Sequence, residues 1–190
     1  MDSASDQQFS EWARRLQQSD EQALEELFEH TFENFVKFAW RYTKEKPSAV
    51  DIVQDAFIKI WQIREQLNPD RSFKTYMYRM IKNKALNYLR DHEQYDVSVD
   101  DLQLADPDSD ELLSPDKTTV LSDKFSEWIE SLPGQQRRAF ELSRFEGLTH
   151  KEIAEVMDIA PRTVNNHIVS ALNTLKELYE GYKADRTQVA

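Results

Sequence analysis

The chain has 190 residues, a formal net charge of −11 and no cysteine. The missing cysteines exclude a disulfide framework and thiolate metal sites, and they fit a reducing cytosol. No apolar run approaches the roughly 20 residues needed to span a bilayer, and the acidic N-terminus lacks a signal-peptide core, so we expect a cytoplasmic protein without membrane insertion.

The first 90 residues are predicted to form a helical domain. Three glycines in the whole chain and scarce β-branched alternation favour helices over sheet. Ser19 or Asp20 can cap a first helix, in which apolar residues recur at three- and four-residue spacing. These residues are Leu24, Leu27, Phe28, Phe32, Phe35, Ala39 and Tyr42. A second helix is predicted to restart at Pro47 and to run to about Leu67.

The second predicted helix has two different faces. At 100° per residue, one face is mainly polar and the opposite face is apolar. The first face holds Asp51, Gln54, Asp55, Ile58 and Gln62, and the second holds Val53, Ala56, Phe57, Ile60 and Ile63. An isoleucine inside a polar stripe is typical of a surface that contacts another protein. The alternative is a solvated face with one stray isoleucine.

Residues 71–90 form the most distinctive segment, because six basic residues occur there without one acid. The basic residues are Arg71, Lys74, Arg79, Lys82, Lys84 and Arg90, and the aromatic residues among them are Phe73, Tyr76, Tyr78 and Tyr88. Basic groups pair with phosphates and aromatic faces stack on unpaired bases, so the segment suits single-stranded or melted nucleic acid. The alternative is a solvated helix face whose aromatic residues belong to the core.

An acidic segment follows. Residues 91–117 hold ten acidic residues, one lysine and two prolines, with few large apolar groups. Such a stretch cannot bury enough surface to offset its chain entropy, so residues 91–119 are predicted to form a flexible linker. It joins a domain at 1–90 to one at 120–190, either as a passive spacer or as a negative strand that occupies a positively charged channel of a partner.

The C-terminal domain carries the pattern of a helix-turn-helix. A helix is predicted to open at Pro133 and to end at Gly147. Thr149 and Glu152 then have the spacing of a capping box, which starts a second helix. A three-residue turn at 158–160 separates that helix from the next one.

The last helix is predicted to begin at Pro161 with an apolar and a polar face. Its buried side would hold Val164, Ile168, Ala171, Leu172 and Leu175, and its outer side Arg162, Thr163, Asn165, Asn166, His167, Ser170 and Asn173. The second helix of a DNA-binding helix-turn-helix enters the major groove, where asparagine can read adenine. A structural corner of two helices is the alternative. One arginine and no lysine on this face imply that affinity must come from elsewhere.

Three blocks, at 51–61, 73–90 and 132–172, together resemble the sigma-70 family, specifically its extracytoplasmic-function (ECF) group. The resemblance covers the chain from about residue 20 to residue 178. It implies an all-α fold of two small domains joined by the acidic linker. It also implies a promoter-specificity subunit of RNA polymerase, which has no catalytic centre and needs no cofactor or metal.

The resemblance also implies roles for single residues. Docking on the clamp coiled coil of the largest subunit of core RNA polymerase would use Asp51, Gln54, Asp55, Ile58 and Gln62. Melting and reading of the −10 element would use Arg71, Lys74, Tyr76, Tyr78, Arg79, Lys82, Asn83, Lys84, Asn87 and Arg90. Tyr78 and Asn83 match residues that hold or read the non-template strand, whereas Tyr76 either shares that role or belongs to the core. Recognition of the −35 element would use Arg162, Thr163, Asn165, Asn166, His167 and Ser170.

Members of this group are commonly held inactive by an anti-sigma factor, which the resemblance therefore implies as a third partner beside polymerase and promoter DNA. Two alternatives of other classes are a sigma mimic that binds an anti-sigma factor without touching DNA, and a two-domain helix-turn-helix activator. The basic segment argues against the mimic, and the blocks at 51–61 and 73–90 are not explained by the activator.

Overall fold

The computed structural model describes residues 5–68, 71–92 and 117–188, the last range with the side chains of 124–184. Within these ranges the chain forms eight α-helices and no strand, which confirms the all-α class. The helices are α1 (Asp6–Gln17), α2 (Glu21–Thr43), α3 (Lys46–Gln62), α4 (Phe73–Asp91), α5 (Lys117–Glu130), α6 (Gly134–Arg144), α7 (His150–Met157) and α8 (Pro161–Gln188). Most of the predicted linker, residues 93–116, lies outside the described residues.

The helix starts follow local capping chemistry. The carboxylate of Asp20 accepts hydrogen bonds from the amides at the start of α2, so Asp20 is the cap, while Ser19 lies before it with a positive φ. Thr149 and Glu152 form the predicted capping box of α7. Each of these side chains satisfies an amide that has no partner inside its helix.

The second predicted helix ends earlier than expected. Helix α3 stops at Gln62 rather than near Leu67, and a single 3₁₀ turn, Arg64–Gln66, follows it. The guanidinium of Arg64 donates to the carbonyl of Trp61 at 2.8 Å and to the Ser19 hydroxyl at 2.8 Å. The Arg64 side chain thus gives a hydrogen-bond donor to a backbone carbonyl in the last turn of α3. The chain then turns, and Leu67 is buried.

Helices α1 to α4, the N-terminal helix group, enclose an aromatic core. Phe35 of α2 is fully buried, and its ring lies 5.0 Å from that of Tyr78, 6.2 Å from Phe57 and 6.5 Å from Phe9. These four rings come from four different helices, so the core holds α1, α3 and α4 around α2. Aromatic pairs of this kind add to the free energy gained by burying apolar area.

Phe35→Ala is expected to lower the free energy of unfolding by about 3–5 kcal/mol, because it leaves a large cavity at the meeting point of these helices. Urea denaturation followed by circular dichroism measures the change. Phe28→Ala is the matched control: it lies two turns earlier in α2 but is 39% exposed, so its loss should be smaller. Equal losses at the two positions would contradict the assignment of the core to Phe35.

Helices α5 to α8, the C-terminal helix group, contain the predicted helix-turn-helix. Helix α6 ends at Arg144, and Gly147 just beyond it takes the left-handed φ of +66°. Four of the five residues predicted to be buried on α8 are buried, at 0–6% exposure. The prediction for Leu172 is wrong, since it is 39% exposed. It stands 100° round the helix from Ala171, off the stripe that packs on α6 and α7.

The two helix groups pack directly against each other. Helix α4 lies along α7, and buried residues of both groups, such as Met77 and Leu148, belong to one continuous apolar cluster. A second, smaller cluster packs the end of α5 against α6 and the middle of α8. The sequence left the relative placement of the two domains open, and the structure places the basic helix α4 at their junction.

Candidate nucleic-acid interface

The polar stripe of α3 is exposed along its whole length. All five of its members face solvent, and Ile58 is 57% exposed although it is apolar. The opposite side of the helix is buried against α2 and α4. The carboxylate of Asp55 accepts from the ammonium of Lys84 at 3.1 Å, which places this stripe beside the basic helix. The geometry is that of an accessible contact surface on a rigid helix.

The ten strand-binding candidates on α4 and just before it differ in exposure. Six of them are exposed: Arg71, Tyr76, Arg79, Asn83, Asn87 and Arg90. Lys84 is half-buried beside Asp55, and the other three are buried. Tyr76 is 41% exposed, which excludes the core role left open for it. For Phe73 and Tyr78 the core alternative is correct, since they are 3% and 2% exposed. Tyr88 is half-buried, and its hydroxyl contacts Ser48 and Glu45.

The three buried candidates, Lys74, Tyr78 and Lys82, face the C-terminal helix group. The ammonium of Lys74 donates to the backbone carbonyl of Glu146, and the hydroxyl of Tyr78 donates to the Glu146 carboxylate. The ammonium of Lys82 donates to the carboxylate of Asp158 at 2.7 Å. All three are at most 5% exposed. Three predicted strand-binding residues thus hold the two helix groups together.

Burial raises the pKa of both members of the Tyr78–Glu146 pair. Burial raises the pKa of the Tyr78 hydroxyl well above its ordinary value, and the neighbouring Glu146 charge adds to the shift, so Tyr78 stays protonated and acts as the donor. Burial also raises the pKa of Glu146, against the opposing effects of the Tyr78 hydrogen bond and of Arg41 and Lys74. The basic side chains around Glu146 therefore offset only part of the cost of burying its charge.

Glu152 links the start of α7 to the start of α4. Its carboxylate completes the capping box with Thr149 and also accepts from the Thr75 hydroxyl at 3.0 Å. Burial alone would raise the pKa of Glu152, but hydrogen bonds from Ser72, Thr149 and Thr75 outweigh it and leave the pKa below its ordinary value. The same side chain therefore supports the helix-turn-helix and the junction between the groups.

An open cleft of about 660 Å³ lies beside this junction. From α4 and the residues before it, Arg71, Tyr76 and Arg79 line the cleft. From α7, Lys151 and Glu155 line the opposite wall. The cleft therefore combines three basic groups and a half-exposed ring with carboxylates, and the exposed strand-binding candidates at the start of α4 open onto it.

Sequence reasoning missed a second, deeply buried contact between the groups. The Glu141 carboxylate of α6 lies 2.9 Å from Nε of Arg137 and 3.3 Å from Nη1 of Arg41, which belongs to α2. The Arg138 guanidinium lies 5.3 Å from the ring centre of Tyr42. The spacing of Arg137 and Glu141 could have indicated their pairing within a helix. No feature near Glu141 in the sequence could have indicated its contact with Arg41, which lies about 100 residues away.

The polar face of α8 lies as predicted on the outside of the helix-turn-helix. Arg162, Asn165, Asn166 and Ser170 are exposed, whereas Thr163 and His167 are half-buried. The turn before the helix depends on Asp158, whose φ of 57° ends α7 in the left-handed region. Because Asp158 also binds Lys82, this turn connects the candidate DNA-reading helix to α4.

Among the residues that the structure describes, no helix has both the length and the apolar character of a membrane span. The histidines and acidic residues of these described ranges nowhere gather in a group of three that could hold a metal ion.

Comparison with known proteins matches two family descriptions to two separate parts of the chain. Residues 27–95 match the family described as sigma-70 region 2, and residues 122–175 match sigma-70 region 4. The chain is 30% identical over 171 residues to the ECF RNA polymerase sigma-E factor of Haemophilus influenzae, which covers 83% of this chain and 87% of that one.

Two solved structures share the fold. CnrH in complex with the cytosolic domain of CnrY has a TM-score of 0.60 at 17% identity, covering 92% of this chain and 98% of that one. The sigma factor RpoE of Bartonella quintana in complex with the anti-sigma factor NepR has a TM-score of 0.55 at 19% identity, covering 82% of this chain and 96% of that one.

Proposed function

Because this chain belongs to the ECF group of the sigma-70 family, we propose that its helix α3 docks on polymerase, that α4 recognises the −10 element and that α8 recognises the −35 element. The protein is a sigma factor, which binds core RNA polymerase and directs promoter-specific initiation of transcription. The observation that carries the residue-level proposal is the arrangement of α3 and α4. They present an exposed contact stripe and a basic helix side by side, joined by the Asp55–Lys84 ion pair.

Docking on core polymerase is proposed to use Asp51, Gln54, Asp55, Ile58 and Gln62. This stripe is accessible and rigid, since the other face of α3 is anchored in the core. An exposed isoleucine among carboxylates and amides supplies an apolar centre with a polar surround, which is how protein interfaces are commonly built. The clamp coiled coil of the largest polymerase subunit is the surface that we expect it to meet.

Promoter melting is proposed to use the basic helix α4. Arg79, Asn83 and Arg90 are exposed along it, so cationic groups can follow a phosphate backbone while an amide reaches a base edge. Tyr76 offers a half-exposed ring on which an unpaired base can stack. Lys74, Tyr78 and Lys82 would join them once the C-terminal helix group has moved away.

Anchoring at the −35 element is proposed to use the first turns of α8. Asn165 and Asn166 are exposed there and can each make two hydrogen bonds to an adenine in the major groove. Arg162, Thr163, His167 and Ser170 would position the helix on bases and phosphates. The low basic charge of this face fits a domain that polymerase holds near its site rather than one that binds DNA alone.

We propose that an anti-sigma factor regulates the protein, since the RpoE relative is solved in such a complex. We also propose that the protein works in the bacterial cytoplasm beside its polymerase and catalyses no reaction itself, because polymerase carries out synthesis. The sigma mimic and the two-domain activator are not favoured, since both sigma regions match in one chain.

Reconstituted transcription tests the proposed function. Core bacterial RNA polymerase and the purified chain would be supplied with a library of random upstream sequences, and the transcripts sequenced. We expect start sites that share two motifs at a constant spacing, and none when the chain is omitted. Absence of binding to any bacterial core polymerase, together with tight binding to an anti-sigma factor, would favour the mimic instead.

A further inference from the structure

The cleft between α4 and α7 has the size of a small-molecule site. Its volume of about 660 Å³ lies within the range of about 300–1,000 Å³ that is usual for ligand pockets. The segment before α4 and the first turns of α4 form one wall, and residues of α7 form the other. Ile63 and the buried Leu67 give the lining an apolar part. A ligand that fits here therefore combines an apolar body with polar groups.

Three basic side chains line the cleft: Arg71, Arg79 and Lys151. All three are exposed, and within the ranges that the structure describes none of them forms an ion pair. By contrast, Lys82 and Lys84, which also belong to the basic helix, each bind a carboxylate, at 2.7 Å and 3.1 Å. The basic groups of the cleft are thus the ones available to an anionic ligand.

The two carboxylates of the cleft differ in their surroundings. The carboxylate of Glu152 accepts hydrogen bonds from the amide and hydroxyl of Thr149 at 2.9 Å and 2.8 Å and from the hydroxyl of Thr75 at 3.0 Å. Glu155 is exposed, and in the described part of the chain it pairs with no basic group. Three cations face two carboxylates, so the lining is net positive, and Glu155 is the charge that opposes an anion most directly.

An aromatic ring and an amide complete the lining. The ring of Tyr76 is 41% exposed and opens onto the cleft. An exposed aromatic face of this kind can stack on a nucleobase. The amide of Gln66, exposed in the turn after α3, both donates and accepts hydrogen bonds, as the edge of a base requires. The cleft therefore brings together groups that suit the phosphates, the face and the edge of a nucleotide.

We propose that this cleft binds a free nucleoside diphosphate, with the base on Tyr76 and the phosphates held by the three basic side chains. A single phosphate ester carries about −1.5 to −2 charge at pH 7, and a diphosphate carries more, so several cations suit it. Arginine also donates two parallel hydrogen bonds to a phosphate. A nucleotide keeps its charge at one end, whereas a DNA strand carries phosphates along its whole length and would bring some of them towards Glu155.

Occupation of the cleft would act on promoter binding. Arg71, Tyr76 and Arg79 belong to the residues proposed to bind the −10 strand, so the nucleotide and the strand compete for them. Lys151 belongs to the nucleotide site alone. Nucleotide binding itself does not depend on the proposed function, whereas the competition rests on the proposed role of α4.

Isothermal titration calorimetry of the full chain with ADP and with GDP, in the absence of DNA, tests the site. Inorganic pyrophosphate is the matched probe without a base. We expect one site for the nucleotides and a Kd about tenfold higher for pyrophosphate, because the probe cannot stack on the ring of Tyr76. Tyr76→Leu should remove this difference between the probes.

Lys151→Met is the most informative variant, because Lys151 lies outside the strand-binding set. It is expected to raise the Kd for the nucleotide about tenfold, through the loss of a charge-assisted contact. The anisotropy of a short labelled oligo(dT) should show unchanged strand binding. Lys59→Met is the control, since it removes an exposed lysine of α3 that does not line the cleft and changes the net charge equally.

Glu155→Gln should have the opposite effect and lower the Kd for the nucleotide, because it removes a repelling charge from the cleft. Glu177→Gln, at an exposed position of α8, is its control and should leave the Kd unchanged. A gain of affinity of this kind does not arise from damage to the fold.

The remaining outcomes are distinguishable. If neither nucleotide binds at millimolar concentration, the inference is overturned and the proposed function is untouched. Pyrophosphate binding as tight as that of ADP and GDP would leave a plain anion site, which also overturns it, as would equal effects of Lys151→Met and Lys59→Met. Nucleotide binding that does not displace oligo(dT) overturns the competition. If Arg79→Ala then also leaves the oligonucleotide affinity unchanged, the proposed role of α4 fails while the nucleotide site stands.

Discussion

Replacing Asp55 and Ile58 together with alanine is expected to raise the Kd for core RNA polymerase about 100-fold. Truncation of a central interface residue commonly costs about 1–2 kcal/mol, and every 1.4 kcal/mol changes a Kd tenfold. Both side chains are exposed in the free protein, and Ile58 is 57% exposed, so neither supports the core. The loss should therefore appear in binding and leave the melting temperature nearly unchanged.

Binding is measured by the anisotropy of a dye on the sigma factor during titration with core polymerase, in the absence of DNA. Lys84→Met is an informative control, because it removes the Asp55–Lys84 ion pair and keeps the Asp55 carboxylate. An exposed ion pair contributes little to stability, so this variant should bind normally. Weakening by Lys84→Met equal to that by Asp55→Ala would mean that Asp55 acts through the pair and does not touch polymerase.

Glu11→Ala controls for the loss of any surface carboxylate. It is exposed on α1, outside the docking stripe. Binding of a −35 DNA fragment, once the promoter is known, should be unaffected in the double variant, because α8 lies in the other helix group. A loss of DNA binding parallel to the loss of polymerase binding would indicate a global defect instead of a lost interface.

The parts that the sequence predicted well depend on short-range rules. The two faces of α3 follow from a 100° rotation per residue, and every predicted stripe member is exposed. The capping box of Thr149 and Glu152 follows from a three-residue spacing. A cap at Ser19 or Asp20 follows from their side-chain oxygens, and the structure uses Asp20. In each case the partners lie within a few residues, so that local geometry determines the result.

The parts that it could not predict depend on contacts between distant segments. Tyr78 looked like a stacking platform because it lies among basic residues, yet its partner Glu146 is 68 residues away and in the other helix group. Lys82 and Asp158 are 76 residues apart. A periodic pattern shows that a side chain lies on one face of a helix, but not whether DNA or another part of the chain covers that face.

The boundary of α3 and the exposure of Leu172 illustrate a related limit. An apolar residue near the end of a periodic pattern, such as Leu67 or Leu172, is compatible with a longer helix or with a wider buried stripe. At α3, the bonds of Arg64 to Trp61 and to Ser19, 45 residues away, decide where the helix ends. On α8, the positions of α6 and α7 decide how wide the buried stripe is. Both depend on neighbours that a single segment does not reveal.

Asn83→Ala is expected to impair promoter opening more than formation of the closed complex. Asn83 is exposed on α4, one turn after Arg79 and one turn before Asn87, so its amide can reach a base while its neighbours contact the backbone. A bidentate contact to a base contributes about 1–3 kcal/mol, which corresponds to a change of about 5- to 150-fold. Since the base becomes accessible only after melting, the loss should fall on the opening step.

Permanganate reactivity of unpaired thymines measures opening, and a gel-shift assay at low temperature measures the closed complex. Arg79→Ala is the comparison, since a lost phosphate contact should weaken binding to all sequences and lower the salt dependence by about one unit. Asn83→Ala should instead impair opening mainly on promoters that carry the preferred base at one −10 position. The variant should therefore lose its preference for that base, and a template with a pre-melted bubble should not restore the preference. If Asn83→Ala only lowered the melting temperature, with opening and closed-complex formation reduced alike, the base-reading role would be wrong. The exposed face of α4 would then follow the strand without reading its bases.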